Sequence, residues 1–219
     1  MKPLALLFDL DGTLIDSITL LVESMEFAFV NRTHRPTVAY WTAGIGKPLR
    51  VQMAEWAADV DDVEALVERY REYQSLHLES LTTVYPNVQE VLEWGRARGH
   101  RIGLVTSKGR GMTDRSLAHA RLDSLFDVMV TVESTERHKP LPDPVWHALN
   151  GLQIPRERAL FVGDSTHDMF AGRAAGVHTA AATWGPFSRE ELITAEPSFW
   201  LDNMLKLKPL VEHLEQAAR

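Results

Sequence analysis

Asp9 and Asp11 stand one residue apart at the end of an apolar run, Leu4 to Phe8, that reads as a buried strand. Gly12 and Thr13 then turn the chain. In an open α/β sheet, ligands bind outside the carboxyl ends of the strands, so this spacing delivers two carboxylates to that edge. Crowded there, they repel each other unless a cation holds them or one takes a proton. Three more groups of reactive side chains follow apolar runs. Thr106-Ser107-Lys108 comes after Ile102 to Val105, and Asp164 and Asp168 come after Ala159 to Val162. His138-Lys139-Pro140 comes after the Phe126 to Val132 run and a loop. Singly, Thr106 reads as a helix cap, Lys139 as a solvated cation and Asp164 as a turn residue. In this order behind Asp9 and Asp11, they read as one site of acids, a hydroxyl and an ammonium.

The elements that must hold these residues can be read from periodicity. Ile18, Leu21, Val22, Met25 and Phe29 follow a helix face, and Val51 to Ala58 is helical. Asp61 and Glu64 form a capping box for a third helix, with Val63, Leu66, Val67 and Tyr70 as its stripe. No strand is evident between Ser17 and Thr82, so residues 17–82 read as an all-helical insertion. Pro86 opens a helix, Val88, Val91 and Leu92 face inward, and Gly99 ends it. Strands are expected over Arg101–Thr106, Phe126–Val132, Ala159–Gly163 and Val177–Thr183. Helices are expected over Gly111–Ala120, Pro144–Asn150, Thr166–Ala175 and Asn203–Ala218, the third closed by Gly176. Glu190-Glu191 reads as a solvated helix start. Alternation of this kind predicts an α/β fold with a doubly wound parallel sheet. Residues 1–16 and 83–219 form its Rossmann-like core.

Composition narrows the partners. The 219 residues carry a net charge of −7, which disfavours a nucleic-acid backbone. Catalytic acids contribute to that balance, and a bound divalent cation would offset them. Cysteine is absent, which excludes disulfides and thiolate chemistry and fits a reducing compartment. The N-terminal apolar run is too short for a signal peptide or a membrane span, so a soluble, cytoplasmic protein is expected. The nine histidines show no ligand spacing, and His167 reads as helix-start surface. The tryptophans are scattered; Trp184-Gly185-Pro186 is placed to rim a pocket or simply to pack. Oligomeric state and macromolecular partners are not legible.

The run Asp9-Leu10-Asp11-Gly12-Thr13-Leu14-Ile15-Asp16 resembles the first motif of the haloacid dehalogenase-like (HAD) hydrolases, most of which are phosphatases. The Thr106, Lys139 and Asp164 groups resemble motifs two, three and four. A phosphate monoester dianion repels nucleophiles, so its charge must be compensated at the site. With no cysteine and no Gly-x-Ser-x-Gly elbow, a carboxylate is the available nucleophile. The resemblance implies that Asp9 attacks phosphorus to form an aspartyl-phosphate. Asp11 would protonate the leaving oxygen and later deprotonate water. It implies Mg2+ held by the Asp9 and Asp164 carboxylates and the Asp11 backbone carbonyl, with Asp168 orienting that shell. Lys139 and the Thr106 hydroxyl would meet the phosphoryl oxygens, with backbone N–H groups of Leu10 and Ser107 completing the cradle.

The same resemblance makes residues 17–82 a cap domain that governs access, hinged at Asp16-Ser17 and Leu81 to Tyr85. Gly46, Lys47 and Arg50 lie in what looks like its substrate-specificity loop, as ligands of an anion or as solvent-facing charges. Asp164 to Gly176 with Trp184-Gly185-Pro186 is similar to phosphoglycolate phosphatases and to related inorganic pyrophosphatases. Both act on small, highly charged phosphates, which would suit a cationic loop. The expected substrate is a small phosphorylated metabolite, phosphoglycolate-like or pyrophosphate. A β-phosphoglucomutase-type mutase shares all four motifs. A phosphoacceptor signalling module also combines acids, Thr and Lys, but accepts phosphate on a later strand, where this chain has Thr106. The dehalogenase branch lacks a second catalytic aspartate, which Asp11 supplies here.

Overall fold

Short runs dominated by Leu, Val, Phe and Ala form the strands, because a parallel sheet covered on both faces needs apolar side chains in both directions. The computed structural model describes residues 2–217. The chain begins with β1 (Ala5–Phe8) and β2 (Ile15–Asp16). Four helices follow, α1 (Ile18–Ala28), α2 (Val38–Ala43), α3 (Leu49–Ala54) and α4 (Val60–His77). The chain returns through β3 (Thr83–Val84), α5 (Val88–Ala97), β4 (Arg101–Val105), α6 (Arg110–Ala120) and β5 (Val128–Val130). It continues through α7 (Asp143–Leu152), β6 (Ala159–Gly163), α8 (Thr166–Ala175) and β7 (His178–Ala182). It closes with α9 (Arg189–Leu192), β8 (Phe199–Leu201) and α10 (Leu207–Ala217).

The main sheet is wholly parallel in the order β5-β4-β1-β6-β7-β8, a Rossmann-like α/β fold. Phe8 pairs with Leu104 on one side and Val162 on the other. Asp9, Thr106 and Asp164 therefore leave the sheet at one edge, next to the point where strand order reverses. Leu6 and Phe8 pack on one face with Val91, Leu92 and Val211, and Ala5 and Leu7 on the other with Ala148 and Ala171. The first four helices bury their own cluster, including Leu21, Met25, Trp41, Met53 and Leu66. That cluster also reaches Met169 of α8 and Phe187. Both ends of the helical segment pass through the antiparallel β2–β3 pair, Ile15 opposite Val84 and Asp16 opposite Thr83.

Several element boundaries differ from the sequence reading. α4 starts two residues earlier than the Asp61–Glu64 box implies, because Asp59 accepts from the Asp62 backbone N–H. Asn87, left-handed at φ 64°, stands between Pro86 and α5, so Pro86 lies outside that helix. The expected Phe126–Val132 strand shortens to β5, since Thr131 caps a 3-10 turn at Val132–Ser134. α3 stops at Ala54, short of Ala58, and α10 follows a 3-10 turn at Met204–Lys206. Ala218 lies outside the described residues. α2, β8 and the two-residue strands β2 and β3 are too short to carry a period. Among the described residues, no helix is long and apolar enough to cross a membrane.

Candidate active site

Asp9 is the first residue past β1 and continues the ladder, its N–H donating to the Val162 carbonyl at 3.0 Å. Lys139 Nζ lies 3.0 Å from Asp9 Oδ1, close enough for the charges to interact but outside hydrogen-bond geometry. Only 3% exposed, Lys139 donates to Asp168 Oδ1 at 2.6 Å and to the Val105 carbonyl at 3.2 Å. Asp168 is held in turn by α8, where its Oδ2 accepts from Ser165 N at 3.0 Å and Ser165 Oγ at 2.6 Å. Asp164 Oδ1 accepts from Thr13 Oγ1 at 2.5 Å, while its Oδ2 is buried without a partner. Gly12, at φ +83°, lets the turn press against this carboxylate; a Cβ there would fall 2.4 Å from Asp164 Oδ2.

The electrostatics leave negative charge uncompensated. Asp9, Asp164 and Asp168 each offer a carboxylate oxygen within 4.8 Å of the others, and all three residues are buried. Burial, and then the Asp168 charge, push the Asp9 carboxyl up to about 7 against the pull of Lys139. Burial together with Asp168 and Asp9 raises Asp164 well above the usual carboxylate range. Burial opposes the charge on Lys139, but Asp168 and Asp9 together hold its pKa above the ordinary value. One ammonium among three carboxylates, with oxygens of Asp9 and Asp164 lacking hydrogen-bond partners, fits a hard divalent cation with oxygen ligands.

Asp9, Asp11, Thr106, Ser107, Gly46, Lys47 and Arg50 line one cavity of about 540 Å3. Lys139, Asp164 and Asp168 are packed next to Asp9 and do not line it. The Asp11 carboxylate accepts at Oδ1 from both Ser17 Oγ and Lys108 Nζ, each at 2.5 Å. Neither partner stands out by spacing. Lys108 could be suspected only because it follows Thr106 and Ser107. Thr106 N–H donates to the Val130 carbonyl at 2.9 Å, and its hydroxyl accepts from Lys108 N–H at 3.2 Å.

The loop before α3 rests on the sheet edge. Ser107 Oγ donates to the Gly46 carbonyl at 2.6 Å. A Cβ on Gly46, whose φ is +103°, would sit 3.1 Å from Ser165 Oγ. The two loop cations are already engaged: Lys47 with Glu55 at 3.1 Å and Arg50 with Glu64. One expectation, His167 as surface, needs revision, and Trp184 takes the packing alternative. His167 is half-buried beneath Gly46 with Nδ1 unpartnered, and burial lowers its pKa, so it is no surface residue. Trp184 does not line the cavity; its Nε1 donates to the Thr13 carbonyl at 3.0 Å and buttresses the turn that meets Asp164.

A family model described as haloacid dehalogenase-like hydrolase matches residues 6–182. The chain belongs to this family. The pyrophosphatase PpaX of Anoxybacillus flavithermus is 37% identical over 206 residues, spanning 92% of this chain and 94% of that protein. The PpaX of Bacillus anthracis is 35% identical over 221 residues, spanning 99% and 100%. Among solved structures, a predicted phosphoglycolate phosphatase from Haemophilus somnus superposes with a TM-score of 0.85 at 25% identity, covering 96% of this chain and 98% of that one. A haloacid dehalogenase-like family hydrolase from Streptococcus pneumoniae shares the fold at TM-score 0.81 and 23% identity, covering 95% and 98%. This HAD hydrolase acts on phosphate esters, and its acidic cluster is compatible with the divalent metal that such hydrolases generally use.

Proposed function

We propose that this HAD hydrolase is a Mg2+-dependent phosphatase working through an aspartyl-phosphate on Asp9. The observation that carries the reading is Asp9 itself, a buried carboxylate facing the cavity with Lys139 beside it. The Asp9 carboxylate attacks phosphorus, and the bond to the leaving oxygen breaks as Asp11 gives that oxygen its proton. Asp11 then takes a proton from the water that attacks phosphorus, and Asp9 is released. Ser17 and Lys108 both bond Oδ1 of Asp11, which fixes the carboxyl group and leaves Oδ2 for these transfers. Lys139 offsets the charge of Asp9 and ties it to Asp168. The Thr106 hydroxyl and the backbone N–H groups of Leu10 and Ser107 would hold phosphoryl oxygens. When bound by Asp9, Asp164 and the Asp11 carbonyl, with Asp168 orienting them, Mg2+ supplies positive charge against the phosphoryl group.

Residues 17–82 serve as the cap domain over a core of 1–16 and 83–219, with the β2–β3 pair as the two crossings. Gly46, Lys47 and Arg50 belong to the cap side of the cavity. The substrate is a small phosphorylated metabolite, and the enzyme is placed in the cytoplasm on its lack of cysteine. The names of similar proteins make pyrophosphate and phosphoglycolate the first compounds to try. Phosphate release from a panel of phosphoesters is measured with and without Mg2+, beside Asp9→Asn. Release requiring both Mg2+ and Asp9 is expected. Release that survives Asp9→Asn overturns the nucleophile, and sugar phosphate isomerised without release turns the reading to a mutase.

A further inference from the structure

The cavity is large and mostly greasy for a site that would take only a small polyanion. Its 540 Å3 falls in the range of about 300–1,000 Å3 that accommodates drug-sized ligands. That space exists with the helical segment seated: Ser107 bonds the Gly46 carbonyl, and Arg115 of α6 donates to Ser75 Oγ on α4 at 2.9 Å. The apolar part of the wall beyond Asp9 and Thr106 comprises Leu21, Trp41, Leu49, Tyr70, Met112 and Val132. Gln52, Arg71, Gln74, Glu133 and His138 also line the cavity. Trp41 and Tyr70 pack ring to ring, centroids 5.6 Å apart, and are 2% and 4% exposed.

Three of the four lysines and arginines that line the cavity are paired with carboxylates. Lys47 pairs with Glu55, Arg50 with Glu64 and Lys108 with Asp11. Among the described residues, Arg71 alone has no carboxylate within ion-pair distance, and its charge still acts on Glu133. Lys108 is largely buried against Asp11, so drawing it to a polyanion would strand that carboxylate. The Lys47 and Arg50 pairs are partly exposed and cost little to open. The apolar walls solvate multiple charges poorly.

From this geometry we propose that the substrate is an organic phosphomonoester whose leaving alcohol carries an apolar, ring-sized body, which lies against Leu21, Tyr70 and Met112. The proposal rests on the phosphatase reading and goes beyond it by naming the substrate class. The phosphoryl group takes the Asp9 end of the cavity, and the ring replaces water along the apolar wall.

The test compares ethyl, benzyl and 2-naphthylmethyl phosphate, whose primary alkoxides leave with similar ease, alongside pyrophosphate and phosphoglycolate. With Mg2+ present, kcat/KM is expected to rise at least tenfold from ethyl to 2-naphthylmethyl and to exceed that for both small anions. Met112→Gln, which keeps the shape and adds polarity, is expected to lower the naphthylmethyl-to-ethyl ratio at least threefold. A flat series, or pyrophosphate or phosphoglycolate preferred tenfold, overturns the proposal. Should no compound turn over, the phosphatase reading fails, and calorimetric binding of the three esters to Asp9→Asn decides the substrate class. Tighter binding of the naphthylmethyl ester by tenfold or more then supports it, and equal binding overturns it.

Discussion

Lys139 joins two carboxylates that would otherwise be buried against each other, at 3.0 Å from Asp9 and 2.6 Å from Asp168. Removing one partner of such a cluster leaves uncompensated charge, at a cost of about 3–5 kcal/mol. Lys139→Met is therefore expected to lose stability of that order as well as activity, read by denaturant unfolding beside turnover. Asp164 differs, because its Oδ2 has no protein partner and its neighbours are acids. Asp164→Asn is expected to raise the metal-free Tm slightly and to abolish the Tm rise on adding Mg2+. Lys108 acts through Asp11, so Lys108→Met is expected to lower kcat about tenfold, less than the roughly 10²–10⁴-fold contribution of a general acid–base group. KM should change little, which separates positioning of Asp11 from substrate binding. At this scale Asp9, Thr106 and Asp164 stand out at strand ends, and Asp11, Lys139 and Asp168 were singled out by their order along the chain and the resemblance it carries. Lys108 and Ser17 were not, since their meeting at Asp11 Oδ1 depends on how two distant loops converge.

The elements that carry these residues are set by short-range rules of uneven strength. α8 runs over Thr166–Ala175 as the sequence reading has it, because Ser165 and Asp168 form a capping box and Gly176 closes it at φ +78°. The same box that starts this helix also fixes Asp168 for Lys139. The loop before α3 depends instead on a close approach. Gly46→Ala adds a Cβ in a left-handed conformation 3.1 Å from Ser165 Oγ, so the loop must lift from the sheet edge. KM is expected to rise severalfold with Tm nearly unchanged, because the strain falls on a local contact rather than on the core. α2, β8 and the β2–β3 crossing escaped the sequence reading: two to six residues contain too little period to distinguish strand, helix and turn.

Across the whole molecule, the central sheet brings acids from strands far apart in sequence into one buried cluster, and pH exposes the cost. Between the ordinary aspartate value of 3.8 and about 7, the folded protein keeps a proton on Asp9 that the unfolded chain has lost. Stability from this group therefore falls as pH rises through that window. Thermal unfolding at pH 5 and pH 8 is expected to show the metal-free wild type losing stability relative to Asp9→Asn. Mg2+ should recover more Tm at pH 8 than at pH 5, because protons compete for the same oxygens at acid pH. The sequence by itself determined the α/β class, the helical insertion and the acids at the strand ends, since alternation and periodicity are local consequences of burying one face of each element. Only the tertiary structure decided which charges are free. Lys47 and Arg50 read from the sequence either as ligands for an anion or as solvent-facing charges, and the fold brings Glu55 and Glu64 beside them. The dimensions of the cavity and the pairing of Asp11 with Lys108 were likewise decided by packing, because they arise from side chains far apart along the chain.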